Sequence, residues 1–220
     1  ATRAHPYLLE EMNAIANPDQ KKGLEDFDRS FWKHVGHAIG NLFRAWGRSW
    51  SGGAFAPAPD AAEATGYYRQ LSRYSSAFAL SADMALLTLG GALKRREMLS
   101  ARFGDILSEL YLLSAALKRW EEEGRQKEDF AALQWVMANG FRTIENRFAE
   151  IFANLPNRFV AAVLRVVVQP FGAKTLGPSD DVVHRCAQLV LAPGPARDRL
   201  TAGLYHAGAN DDGPLTRLER

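Results

Sequence analysis

The sequence predicts an all-α protein: an antiparallel helical bundle, preceded by an amphipathic helical arm and followed by a short C-terminal helical cap. Three observations predict it. Apolar residues recur three and four positions apart over long stretches, the period of helices with one buried face. Gly, Pro and short polar residues interrupt those stretches at intervals that suit short connections. The one strand-like run, Val166-Val167-Val168, continues a helical period.

Taken in order, Pro6 suits a first helical turn, and Tyr7, Leu8, Met12 and Ile15 follow at helical spacing. Asn17-Pro18-Asp19 reads as a stop and a fresh start, with Asn17 as N-cap and Pro18 at the first position. A long amphipathic helix covers about 24–50. Ser51-Gly52-Gly53 ends it, and the Gly/Ala/Pro-rich stretch to Pro59 reads as a mobile linker, so 17–59 form the arm. Asp60 and Glu63 have the spacing of a capping box and predict a helix start. That helix runs to Gly90-Gly91 and is apolar nearly all round from Ala77, as in a helix buried on most sides. A third helix, about 93–123, carries Leu99, Phe103, Ile106, Leu110, Leu113, Leu117 and Trp120 on one face, and Gly124 ends it. A fourth, 128–154, carries Phe130, Leu133, Val136, Ile144, Phe148, Ile151 and Phe152. Pro156 opens a short helix through Val168. Residues 60–168 thus make a bundle of four helices with short loops. In the cap, 169–220, Ser179 with Asp180 and Asp181 starts a helix to about Leu191, and Gly208–Gly213 read as a mobile tail.

At 220 residues the chain can bury a sizeable core. Its formal net charge of +2 gives no global attraction to nucleic acid. The single cysteine, Cys186, excludes an internal disulfide and is expected to be a buried, inert thiol. No signal peptide is visible. The most apolar stretch, Ala77–Leu93, is interrupted by Asp83, short of the ~18 uncharged residues of a spanning helix. The start without Met, inside helical sequence, reads as a fragment or a processed product.

The search for chemistry is thin. There is no Gly-rich phosphate loop, no GxSxG and no metal-spaced cysteine pair. His34-x-x-His37 sets two imidazoles about one turn apart, but with no third ligand in sight they read as polar packing residues. Glu121-Glu122-Glu123 reads as a solvated acidic end. Lys94-Arg95-Arg96 is a compact basic cluster, a weak candidate for phosphate contact. The strongest signature lies between Phe27 and Trp50. At about 100° per residue, Phe27, Phe31, Trp32, Val35, Ala38, Ile39, Leu42, Phe43, Ala45, Trp46 and Trp50 fall within an arc of roughly 160°. Arg29, Lys33, His34, His37, Asn41, Arg44 and Arg48 fall opposite, Asp28 and Ser49 near the ends are exceptions, and Gly36, Gly40 and Gly47 line one edge. Aromatic residues on one face and basic charge on the other suit an interfacial membrane helix, whose contacts would be Phe31, Trp32, Val35, Ile39, Leu42, Phe43, Trp46 and Trp50 with Lys33, Arg44 and Arg48. The same pattern suits a helix that packs its apolar face on the protein, with the glycines allowing close helix approach. From the residues alone, packing is favoured.

Several segments together resemble the C-terminal region of the long bacterial (FadE-type) acyl-coenzyme A dehydrogenases. They are Leu87–Glu97, Leu99–Ser108, Leu110–Gly124, Leu155–Phe159, Gln169–Gly172 and Pro178–Asp180. His5–Met12 looks like the junction after the dehydrogenase core, which makes 1–16 that junction. The resemblance implies a parent enzyme that binds FAD and oxidises fatty acyl-CoA to trans-2-enoyl-CoA in β-oxidation. The catalytic glutamate and most flavin contacts would lie upstream of Ala1, so that this chain alone would bind no FAD and hold no catalytic residue. It also implies the flavin-bearing domains as partners, a homodimer when intact, and a bacterial cytoplasmic setting, peripheral at the inner face of the membrane. Because the enlarged very-long-chain relatives associate with membranes through an additional helical domain, the resemblance shifts the expectation for 27–50 toward an anionic membrane surface. A scaffold closing the dimer or the substrate channel is the alternative, and it would bury Trp32, Trp46 and Trp50.

Overall fold

The computed structural model describes residues 7–204 and is all-helical over them, with no strand among the described residues. Eight α-helices follow one another: α1 (Leu8–Ile15), α2 (Gln20–Trp50), α3 (Thr65–Leu89), α4 (Glu97–Glu122), α5 (Phe130–Asn154), α6 (Arg158–Val168), α7 (Asp180–Leu191) and α8 (Pro195–Thr201). Pro6 and the stretch Gly208–Gly213 lie outside the described residues.

The packing is a bundle of α2 to α6, with α3 beside α2 and α4, α4 beside α5, and α6 against both α5 and α2. Cross-helix contacts fix the directions. Arg102 pairs with Glu150 and Arg147 with Asp105, so α4 and α5 run antiparallel. Asn41 meets Asp83 while Arg48 meets Ser72 and Ser76, so α2 and α3 do too. The seven α4 positions picked out by their spacing are all buried, facing Leu133, Met137, Ile144, Phe148, Ile151 and Phe152 of α5. Each large apolar side chain buried there contributes about 1.5–3 kcal/mol, which makes the α4–α5 seam the main source of stability. Gly140 lets the two helices close up, since a Cβ there would lie 2.6 Å from Leu113 Cδ2. From α3, Leu71, Tyr74, Ala77, Leu80 and Ala85 complete the core. The α3 segment with its following turn is the one described helix long and apolar enough to cross a membrane by length and composition. Here its buried face lies in the bundle, while Leu87 is exposed.

Several boundaries differ from the expectation, each for a local reason. The N-cap of α2 is Asp19, whose carboxylate accepts from the Lys21 and Lys22 amides. Asn17 accepts instead from the Asp19 amide, forming an Asx turn around Pro18. Asp60 caps nothing. A 3₁₀ turn (Ala62–Ala64) intervenes, with Ala62 at φ 47°, and the Ala61 amide donates to Thr65 Oγ1. A second 3₁₀ turn covers Gly90–Arg95 and delays α4 to Glu97. Asp129 precedes α5 without capping it, because its carboxylate receives a bidentate pair from Arg199 that docks α8. Asn157, not Pro156, caps α6, and Ser179 caps α7 as expected.

The segment expected to be an arm is packed along its length: α2 lies on α1, α3 and α6. The expected linker is tied down as well. Gln70 donates to the Gly52 carbonyl and Ser72 to the Pro57 carbonyl, with Gly53 and Ala56 buried.

Candidate functional site

The amphipathic helix α2 packs with its polar side inward. The buried residues of the helix are Gly23, Ser30 and Asn41 of that side, with the small Ala45 and Ser49 at the margin of the aromatic arc. That side offers small volume and hydrogen-bonding groups, and the neighbours supply the complements. Ser30 donates to Glu10, His34 Nδ1 lies 2.8 Å from Glu11, and Tyr7 stacks on His34 and meets His37 edge-on. Asn41 donates to Asp83 at 2.7 Å. The Arg48 guanidinium donates to the Ser72 carbonyl and the Ser76 hydroxyl. Apart from Ser49, whose Oγ has no partner in the protein, the polar groups buried here are buried in pairs.

The aromatic side consequently faces out. Exposure is 62% at Trp32, 64% at Phe43, 49% at Trp46 and 46% at Trp50, with Phe31 and Ile39 also exposed and Val35 and Leu42 half-buried. The rings form contacts along the helix: Phe27 on Phe31 at 6.0 Å, Phe31 on Trp32 at 5.7 Å, Trp46 on Trp50 at 6.3 Å. Trp50 continues the surface onto the neighbouring elements, because its indole donates to the Val166 carbonyl at 3.2 Å and its ring lies 5.8 Å from Phe171. On α6 the exposed Phe159, Val163 and Val166 extend it, residues that the sequence reading left out. Their signal is the spacing 159, 163, 166 on a helix whose other face is filled by Val160, Leu164 and Val167. Glycine does not serve the close approach expected of it: a Cβ at Gly36 or Gly47 would meet nothing within 4 Å, and one at Gly40 only the Arg44 side chain at 3.9 Å.

Of the basic residues opposite the aromatic arc that were expected to meet lipid, Lys33 and Arg44 are exposed, Arg44 donating to Asn41. Arg48 is a correction, being committed to α3. Lys94, Arg95 and Arg96 are exposed on the 3₁₀ turn before α4, far along the chain from Trp50, and Arg95 and Arg96 border a shallow groove with Arg102. Cys186 is half-buried, not buried. The acidic run is paired within α4 and its end, Glu121 with Arg125, Glu122 with Lys118 and Glu123 with Arg119. Among the described residues no three His, Cys, Asp or Glu side chains gather as a metal site would need.

The most enclosed polar centre was not anticipated. Glu145, buried in the middle of α5, accepts the Tyr74 phenol at 2.7 Å on one oxygen and the Lys174 and Thr175 amides at 2.8 and 2.7 Å on the other. Arg73 stands 3.8 Å away, and Gln169 donates to the Glu145 carbonyl. Burial raises the Tyr74 phenol well above its ordinary value; Glu145 adds to the rise and Arg73 opposes it. This centre fastens the loop after α6 onto the bundle beside Trp50.

The family model for the bacterial-type C-terminal region of acyl-CoA dehydrogenases matches residues 2–220. No solved structure matches the chain.

Proposed function

The chain belongs to the bacterial-type acyl-CoA dehydrogenase C-terminal family, and from that premise we propose that it holds its parent enzyme at a membrane surface. The parent reaction we propose is the FAD-dependent oxidation of a fatty acyl-CoA to the trans-2-enoyl-CoA. In this reading the chain itself supplies no residue to that reaction. Its part is to place the enzyme where long acyl chains are concentrated.

The observation that carries this reading is the outward aromatic side of α2. A soluble helix ordinarily turns such a face to its core. Here the small polar side does the packing, and three indoles and two phenyl rings are exposed. Indoles suit the headgroup boundary, and Lys33 and Arg44 supply positive charge for anionic lipid. The scaffold alternative needs Trp32, Trp46 and Trp50 covered, which within this chain they are not.

Co-sedimentation with anionic vesicles, wild type beside Trp46→Glu, tests the proposal. Wild type is expected to pellet with the vesicles, less so at high salt, while the variant stays in solution with an unchanged helical circular dichroism spectrum. Failure of the wild type to pellet, together with a concentration-dependent mass in sedimentation velocity that Trp46→Glu abolishes, would establish the scaffold reading instead.

A further inference from the structure

We propose that the outer face of α4 is an interface with a second copy of this chain, the two α4 helices packed antiparallel about a two-fold axis at Ser108. Opposite its buried stripe, α4 turns Leu107, Tyr111 and Leu112 to the surface, 56%, 74% and 57% exposed. Gly104 and Ser108 lie between them, with Ala101 and Ala115 beyond, all four exposed. Over about 21 Å of helix the outermost positions carry no charge. The nearest charged residue, Asp105, stands at the edge toward α5, 2.8 Å from Arg147. A helix side that meets only water is ordinarily charged and polar, and an apolar strip with charged ends marks contact with another protein surface. This face and the aromatic side of α2 are on different helices, α4 packing on α3 and α5, α2 on α1, α3 and α6.

The charges at the two ends of the strip select the occupant. Lys94, on the turn that leads into α4, and Glu97 are exposed before its start; Arg119 and Glu122 are exposed past its end. In an antiparallel pair centred on Ser108, residues equally far from Ser108 along the chain lie at the same height. Glu97 of one copy then meets Arg119 of the other, and Lys94 meets Glu122, and the two-fold axis makes each pair twice. A slip of one turn that sets Glu97 against Glu122 also sets Lys94 against Arg125, and a slip the other way brings Lys94 to Arg119. A parallel pair sets every charge against its own kind, and like charges facing each other suppress the wrong arrangement. The present partners do not lock these groups away. Glu122 meets Lys118 at 3.5 Å with both side chains mostly exposed, and Arg119 holds Glu123 through Nε along the helix surface.

The same register seats the apolar residues. Leu112 comes to the height of Gly104 of the copy, over the hollow between Ala101, Gly104, Asp105 and Ser108, while Tyr111 passes on the other side of that glycine, beside Leu107. Large side chains thus fall on small ones, the knobs-into-holes arrangement of close helix pairs. Gly104 then has a use. It weakens the middle of a 26-residue helix relative to Ala, and a Cβ there would meet nothing within 4 Å in this chain. Against a second copy, the missing Cβ is the floor of the hollow.

One helix from each partner makes a small interface, so association is expected on the order of tens of micromolar, and sedimentation velocity from about 5 to about 500 µM brackets it. Wild type should pass from monomer to dimer over that range. Leu112→Glu, at an exposed position, should stay monomeric with an unchanged circular dichroism spectrum. Gly104→Ala fills the hollow, so it should weaken association about tenfold while raising the melting temperature of the dilute monomer. Glu97→Arg and Arg119→Glu should each lose the dimer when alone. An equimolar mixture of the two should regain it, because every cross-pair in the mixed dimer joins opposite charges. That rescue shows both that the variants fold and that the register is the one centred on Ser108. A wild type that stays monomeric throughout, a dimer that survives Leu112→Glu, or a mixture that associates no better than its parts overturns the proposal. So does a dimer that Trp46→Glu abolishes and Leu112→Glu leaves intact, since it would seat on α2. No vesicle enters these measurements, so the failure of the membrane reading and the failure of this one are separate results.

Discussion

Gly36 and Gly47 lie on the solvent side of α2 with nothing within 4 Å of where a Cβ would project. Changing both to Ala adds two methyl groups to open space in the interior of a 31-residue helix. The gain is the helix-propensity difference, about 0.8–1.0 kcal/mol at each position. For a protein of this size, about 2–4 °C of Tm accompanies each kcal/mol, so the double variant should melt about 4–8 °C higher. Gly140→Ala is the counter-case. The same propensity gain is opposed by a Cβ 2.6 and 2.9 Å from the two Leu113 methyls and 3.0 Å from Glu109 Oε2. Leu113 is 1% exposed and has nowhere to go, so overpacking of about 1–3 kcal/mol leaves a net loss. Thermal melts followed by circular dichroism at several protein concentrations decide the matter. A lower Tm for the Gly36→Ala/Gly47→Ala pair, above all one that depends on concentration, would mean that another helix seats on that edge. The reasoning that leaves this side of α2 open would then be refuted.

Other outcomes follow from the same geometry. Phe148→Ala should cost about 3–5 kcal/mol, whereas Phe43→Ala, on the exposed side, should cost less than about 1 kcal/mol, both read from urea midpoints. Glu145→Gln turns an acceptor of three hydrogen bonds into a group that must present an NH₂ to one of those donors. A loss of about 2–4 kcal/mol is expected, with protease cutting first in 172–176. Glu150 is held below its ordinary 4.5, first by the Arg147 hydrogen bond and then by Arg102. A carboxyl with a lowered folded pKa contributes stability above 4.5 that is lost as pH falls through the folded value, because the unfolded chain takes the proton first. Glu150→Gln should therefore flatten the fall in Tm below about pH 4.5, and an unchanged acid slope would contradict this.

The fold was legible where one rule was enough. On α4 the three-four spacing identified seven positions, all buried, because a helix between two neighbours has a single stripe to hide. Boundaries were less legible, since the groups that could cap a helix had tertiary alternatives: Asp129 serves Arg199, and Asn17 serves the turn before Asp19. The aromatic face of α2 was legible as a face but not in its direction. Hydrophobic patterning says which residues share a side, and burial normally supplies the sign. Here the other side carries its own period, Ser30, His34, His37 and Asn41, continued by the small Ala45 and Ser49 at the margin of the aromatic arc, and Asp83 interrupts the apolar run of α3 facing Asn41. Those two irregularities together are the signal that the polar side is the packed one. The Glu145 centre had no local signal, because its partners come from α3 and from a loop some thirty residues downstream.

An inward polar side changes what the aromatic side can do. If α2 were held by its tryptophans, any surface that captured them would have to pull the helix out of the bundle, and binding would compete with folding. Held instead by Asn41 on Asp83, by Arg48 on the α3 backbone and by Ser30 on α1, α2 is fixed before any surface is met. Its rings are then presented in one arrangement, so little conformational entropy remains to be lost on contact. Folding and binding thus rest on different residues of one helix. Substitutions at Trp32, Phe43 or Trp46 should move vesicle affinity with little change in Tm, while Asn41→Leu, which removes the Asn41 hydrogen bond to Asp83 and sets an apolar side chain beside the carboxylate, should lower Tm and leave the affinity of the folded fraction unchanged. Correlated losses of Tm and affinity across both sets would show that the two faces are not independent, and that the aromatic side belongs to the packing after all.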